Sequence, residues 1–324
     1  MPIITERDQA LEVIKRCRCN NVSMAIFCTA SHWNTEAILL AASRFAQKNG
    51  IMNLPVSVAM TFNYTHMPQA RRVTYSEDAA TGFVSIMEHL KILCADEDSV
   101  YSNVTVLPHL DHADPFRDKW ALTEGLPYLA SVMFDAQKYP FEQNIAMTRD
   151  YIATYGKNIM VEGIMEELSV EGNSVGKGDG YYVEKAISYL SQTGVDFLVA
   201  DLGTEQQSSS VGRCEYRAGR ARELTERLGQ RMLVLHGTSC LEENQMSSLA
   251  QDGVIRVNMW TRIAREAGQY ASRMLMARLD GIAKGDFEAV ESRQYLYDSI
   301  EKAAEIMEST LYTLGYSRFK GGQR

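Results

Sequence analysis

The feature that most constrains this chain is an alternation: a short apolar segment, then a longer one with helical apolar spacing, eight times in succession. The apolar segments are VSMAIFC (22–28), LPVSVAMT (54–61), SNVTVLPHL (102–110), LASVMFDA (129–136), NIMVEGI (158–164), DFLVADLGT (196–204), RMLVLHG (231–237) and VIRVNMW (254–260). Continuous apolar runs suit parallel strands covered on both faces. Between them, Asn34 is expected to cap a helix ending at Gly50, and Ser76 to open one through about Cys94. Further helices are expected near 115–124, 141–155, 182–193 and 215–228, in a stretch ending at Gly253, and from Thr261. Eight strand–helix units predict a (β/α)8 TIM barrel with an extra N-terminal helix and a C-terminal helical extension. A doubly wound open sheet is the alternative, but no GxGxxG follows the first strand. With no linker or low-complexity stretch, residues 1–324 read as a single domain, barrel about 20–282 and tail about 287–315.

A net charge of −8 argues against nucleic-acid or anionic-membrane partners. No apolar run approaches the length of a membrane span. MPIITERDQALEV is charged by its sixth residue, unlike a signal peptide, so a cytoplasmic location is expected. Cys17, Cys19, Cys28, Cys94, Cys214 and Cys240 form no CxxC pair and read as reduced thiols.

In a barrel of this kind the residues just past each strand share one rim, where chemistry is built. In order they are Cys28 and Thr29, Thr61, His109 to His112, Asp135, Glu162, Gly203 to Gln207, His236 to Ser239, and Asn258 to Thr261. His112 and His236 meet on this inferred rim from distant parts of the chain, His112 beside Asp111. Two imidazoles and a carboxylate on one rim point to a metal or proton-transfer site.

VTVLPHLDHADP, RMLVLHGTSC and DGVIRVNMWT, with SVMFDAQKYPFEQNIAMTRDYIATYGKNIMVEG and YVEKAISYLSQTGVDFLVADLGT, make the chain resemble the class II, metal-dependent fructose-bisphosphate (ketose-bisphosphate) aldolases from about residue 20 to 270. The resemblance implies a dimeric or tetrameric barrel that binds Zn²⁺ through three histidines and acts on a sugar phosphate. It would make Asp111 the acid/base, His112 the first metal ligand and His236 the ligand at the seventh strand. Gly237, Thr238 and Ser239, with Asn258 and Thr261 alongside, would receive a substrate phosphate. Gly203 and Asp135 complete the implied substrate-binding set.

Several rim positions depart from that pattern. Gln206 stands where the family has its remaining zinc histidine, and Gln207 where it has the following glycine. Ile164 replaces the metal-proximal acid of the fifth strand, Cys28 an asparagine, and Trp260 an acid beside the substrate. A neutral amide is a poor zinc ligand, so Glu205 or Glu166 could complete a His₂-carboxylate set for zinc, iron or manganese. The glycine-rich loop 169–182 reads as a lid that brings Glu171, as a catalytic residue, or Lys177 to the substrate. The expected activity is carbon–carbon bond making or breaking in a phosphorylated ketose or modified sugar, other than ordinary fructose-1,6-bisphosphate cleavage. A metal-independent isomerase or epimerase, and a non-catalytic sugar-phosphate-binding barrel, are the alternatives.

Overall fold

The computed structural model describes residues 3–94, 98–170, 181–209, 211–212, 214–286, 288 and 292–321. Eight parallel strands close on themselves in sequence order, β1 pairing with both β2 and β8. They are β1 (Met24–Cys28), β2 (Leu54–Thr61), β3 (Val104–Ala113), β4 (Ser131–Phe134), β5 (Met160–Ile164), β6 (Phe197–Val199), β7 (Leu233–Leu235) and β8 (Val254–Met259). Every strand residue is buried, as expected of a parallel sheet enclosed by helices. This is a TIM barrel.

The helices follow from spacing and caps. The first, α1 (Arg7–Cys19), buries Ala10, Val13, Ile14 and Cys17 on one stripe. Its Arg7 makes a two-pronged pair with Asp196, whose carboxylate also receives the Val161 N–H at 2.8 Å, so α1 is tied to the entry ends of β5 and β6. In α2 (His32–Asn49) the cap is Ser31 rather than Asn34: the Ser31 hydroxyl accepts the Asn34 N–H at 3.1 Å. Asp78 plays that part for α3 (Ala79–Cys94), accepting from Thr81 at 2.7 Å, so the helix starts three residues past Ser76. The C-terminal helix Ser292–Thr313 lies on α2 and on the helix Thr261–Ala277 that follows β8. Beyond it Tyr316 locks the tail to the barrel: its hydroxyl accepts the Ala25 N–H and donates to the Pro55 carbonyl, both at 2.8 Å.

Three sequence expectations are corrected. The strand expected over 196–204 is regular only at Phe197–Val199, and the rest is the loop that carries Gly203 to Gln207. Glu162 is not on the rim: it is fully buried inside the barrel in an ion pair with Arg256. Cys214 and Cys240 are not both reduced thiols: they form a disulfide, Cα–Cα 5.6 Å. The pair lies 26 residues apart, joining the loops after β6 and β7, which the parallel pairing of those two strands makes neighbours.

The barrel interior below the rim is polar. Arg256 bonds through Nη1 to Glu162 and through Nη2 to the hydroxyls of Ser57 and Ser131, each at 3.1 Å. Ser131 Oγ in turn meets His109 Nδ1 at 2.8 Å. Strands β2, β3, β4, β5 and β8 are therefore cross-linked beneath the site by one buried cation.

Candidate active site

In HLDH the residues lie on a β-strand, whose side chains alternate between faces. Strict alternation would send Asp111 inward and His112 outward. The pairing of β3 with β4 shifts register between Leu110 and Ala113, and His112 sits at φ +46°, a left-handed conformation unusual for a non-glycine residue. The irregularity brings the Asp111 carboxylate and the His112 imidazole into one pocket at the strands' C-terminal ends. Such local strain is typical of sites where geometry is held for chemistry.

His236, at the end of β7, meets them there. One ligand atom each from Asp111, His112 and His236 lies within 4.8 Å of the others, and all three residues are buried. Among the described residues, Asp111 Oδ1, His112 Nε2 and His236 Nε2 have no hydrogen-bond partner. The imidazoles meet edge to face, ring centres 5.0 Å apart, and Tyr64 stacks on His112 at 4.2 Å. His112 Nδ1 donates to Asp135 at 2.7 Å, which fixes the ring and aims Nε2 at the pocket.

Electrostatics favour a cation here. Burial drives His236 well below the usual histidine range, with His112 and Arg256 adding to the effect, so it is a neutral imidazole with a free lone pair. Burial also works to lower His112, but the carboxylates of Asp111 and Asp135 outweigh it and raise its pKa. Burial raises Asp111, against the pull of His112. Two acids around one imidazole call for positive charge. Two imidazole nitrogens and a carboxylate oxygen, buried and unpartnered, fit a divalent ion of the zinc, iron or manganese kind.

The remaining expected residues divide. Gln206, Gly237, Thr238 and Ser239 line the same pocket, as do Asn258, Trp260 and Thr261. Asp135 lies behind His112 and does not line the pocket. Its carboxylate also receives the Gln137 amide at 3.1 Å. Gly203 is also off the pocket: its N–H bonds Asp201, and an added Cβ would fall 2.4 Å from the Glu215 carbonyl oxygen. Glu166 pairs with Lys185 at 3.1 Å and is not among the clustered acids, nor is Glu205. The carboxylate that joins the two histidines is Asp111. Glu171 and Lys177 lie outside the described residues.

The turn after β7 is built for close approach. Gly237 has φ +73°, and a Cβ there would sit 2.8 Å from the Glu205 carbonyl carbon. This lets Thr238–Cys240 form a short helical turn, with the Thr238 hydroxyl donating to the Asn258 carbonyl at 3.2 Å. The loop after β6 rests on it: Ser208 N–H donates to Ser239 Oγ at 3.1 Å and the Thr204 hydroxyl to the His236 carbonyl at 2.6 Å. The same loop is held from the other side where Gln206 N–H donates to the Ser169 carbonyl at 2.8 Å.

Sequence reasoning missed Tyr64, Met67 and Gln69, which line the pocket from the loop after β2. Their signal was present: the rim reading stopped at Thr61, yet Gln69 closes the end of that strand by exchanging hydrogen bonds with Thr61, both at 2.9 Å. Arg256 was missed as a site-supporting residue because it lies inside an apolar run.

Fold and site together define a TIM-barrel protein with a metal-competent rim. The family profile described as fructose-bisphosphate aldolase class-II matches residues 8–318, and the chain belongs to that family. It is 28% identical over 250 residues to the 6-phospho-5-dehydro-2-deoxy-D-gluconate aldolase of Bacillus subtilis, covering 74% of this chain and 78% of that one. It is 30% identical over 166 residues to the fructose-bisphosphate aldolase of Streptococcus pneumoniae, covering 51% of this chain and 55% of the relative, so the match spans about half the relative's length. Among solved structures it resembles a fructose-bisphosphate aldolase from Campylobacter jejuni, with TM-score 0.73, 16% identity and 96% and 95% of the two chains covered. It also resembles the YdjI aldolase of Escherichia coli K12, with TM-score 0.64, 16% identity and 97% of each chain covered.

Proposed function

We propose that the protein is an aldolase-type lyase that makes or breaks a carbon–carbon bond in a phosphorylated ketose or related modified sugar, distinct from ordinary fructose 1,6-bisphosphate cleavage. The observation that carries this reading is the convergence, at the mouth of the barrel, of three buried donor atoms on Asp111, His112 and His236 that have no partner among the described residues. His112 and His236 would hold a divalent cation, Zn²⁺ or another, with Asp111 or the Gln206 amide beside them. When bound, such an ion supplies Lewis-acid stabilisation of the negative charge that develops next to a ketose carbonyl.

The chain's own residues do the rest. In the cleavage direction Asp111 takes the proton from the hydroxyl on the carbon that becomes the aldehyde. The bond to the neighbouring carbon breaks, and its electron pair stays with the ketone-bearing fragment. Glu171 is the sequence candidate for returning a proton to that fragment. The N–H groups and hydroxyls of the Gly237–Ser239 turn, with Thr261 at the start of the helix after β8, would receive the phosphate. Helix N-termini and left-handed turns present N–H groups suited to anions. A modified substrate is supported by the indole of Trp260 on the pocket wall, and by the Bacillus subtilis relative, which is named for a deoxygluconate phosphate.

The test is metal analysis of protein purified without chelator, together with aldol cleavage of a panel of ketose phosphates. About one equivalent of metal is expected, with turnover falling about 10²–10⁴-fold in Asp111→Ala. Turnover that survives exhaustive chelation would sink the metal-aldolase reading. Sugar-phosphate binding without any turnover would favour a non-catalytic barrel.

A further inference from the structure

The Cys214–Cys240 disulfide has a position that its stabilising role does not require. Cys240 closes the helical turn whose other members, Thr238 and Ser239, line the pocket. Cys214 lies on the loop after β6, whose Gln206 and Gln207 also line the pocket. The bond therefore ties together the two loops that enclose one side of the site. Other contacts cluster around it: Gly212 N–H donates to the Cys240 carbonyl at 2.8 Å, the Glu205 N–H meets Cys240 Sγ at 3.4 Å, and the Gln245 amide holds the Cys214 carbonyl at 3.3 Å. Cys240 is fully buried while Cys214 is partly exposed, so Cys214 is the end of the bond nearer solvent.

We propose that Cys214 and Cys240 form a reversible redox latch: oxidised, they hold the β6 and β7 loops together and keep the phosphate-binding side of the pocket ordered. Reduced, they release the β6 loop and weaken phosphate binding. The phosphate half rests on the functional reading above, while the latch itself does not. The chemistry is thiol–disulfide exchange with a dithiol. A thiolate of the dithiol attacks Cys214 Sγ, the Cys214–Cys240 bond breaks, and its electron pair leaves on the Cys240 sulfur, which takes a proton. The second thiolate then attacks the mixed disulfide, and Cys214 leaves as a thiolate and is protonated. Two electrons and two protons pass to the protein, and the dithiol becomes a cyclic disulfide. A low-molecular-weight disulfide reverses the reaction. The other cysteines, Cys17, Cys19, Cys28 and Cys94, are free and take no part.

The test uses the full-length protein with dithiothreitol as reductant and inorganic phosphate as probe. Thiols are counted after denaturation, amide hydrogen exchange is read at Gln206, Ser208 and Gly212, and phosphate affinity is measured by calorimetry. Reduction of the folded protein should raise the thiol count from the four free cysteines to six, four plus the released pair. Exchange at those amides should quicken about tenfold or more as the loop opens locally. Phosphate affinity should fall roughly three- to tenfold, the cost of ordering one or two side chains on binding. Cys214→Ser, at the partly exposed end, should bind phosphate like the reduced parent and ignore the reductant. A bond reducible only on unfolding, or loop exchange indifferent to reduction, overturns the latch. So does phosphate that binds measurably and with equal affinity in both redox forms. Faster exchange with phosphate bound in neither form upholds the latch and overturns the phosphate assignment instead.

Discussion

Arg256 and Glu162 lend themselves to a quantitative test, because removing either one leaves a different kind of orphan. Both are fully buried, and the guanidinium is bonded to Glu162, Ser57 and Ser131. Breaking a buried pair costs about 3–5 kcal/mol because the surviving charge stays in a low dielectric. A guanidinium keeps its proton, so Glu162→Gln strands a cation, and its cost against a parent whose Glu162 titrates near 7 should shrink as pH rises to about 7 and be flat above it. A carboxyl can neutralise itself. Burial already pushes Glu162 from 4.5 up to about 7, against the opposing pull of Arg256. Without Arg256 that pKa rises further. The folded Arg256→Met variant then holds a proton that its unfolded chain has released, so its stability is greatest below the unfolded value and declines as pH rises. The decline is at most about 1.4 kcal/mol per pH unit. Relative to the parent, whose own loss ends near 7, the deficit of Arg256→Met should grow between about pH 7 and 9. For 324 residues, 3–5 kcal/mol corresponds to about 4–7 °C in Tm. Urea denaturation at about pH 6 and pH 9 reads it directly. Glu162→Gln should be the worse variant at the lower pH, and Glu162→Gln/Arg256→Met should recover much of the loss. A deficit of Arg256→Met that is flat with pH, or smaller than expected at pH 9 and larger at pH 6, would refute the reasoning.

The barrel was legible in the sequence because its signal is local and repeated: uniformly apolar strands, helical spacing between them, and glycine at helix ends. The helix Phe141–Tyr155 and strand β2 fall where the pattern places them. The caps were harder to read, since Ser31 and Asn34 are both good capping residues and only the backbone decides between them. Chain order along the rim located the HLDH and LHG segments but not the directions of their side chains. Glu162 was placed on the rim because it is the charged residue near the end of an apolar run, yet it is turned to Arg256 in the interior. His112 reaches the pocket only through a register shift at β3 that no residue type announces. The disulfide joins residues that only the pairing of β6 with β7 brings together, and the Arg256 cross-link exists only after closure.

Two further predictions concern the site and its walls. Asp135→Ala should weaken Zn²⁺ affinity about 10–100-fold in competition with a chelator, because His112 loses the hydrogen bond that orients it; an unchanged affinity would mean that His112 is not a ligand. The second isolates what the disulfide does to the unfolded chain. Its closure of a 26-residue segment removes about 3.5 kcal/mol of loop entropy from the denatured ensemble at 25 °C. The clean perturbation is reduction of the parent protein, since serine at Cys240 would also bury a new hydroxyl. Oxidised and reduced protein are compared by urea denaturation under matched conditions. If the bond acts only on the unfolded state, the reduced protein should lose about 3.5 kcal/mol while unfolding no faster. If it also holds the β6 loop against the β7 turn, as the contacts from Ser208 and Gly212 suggest, part of the loss should appear as faster unfolding. Equal midpoints for the two forms would refute both accounts.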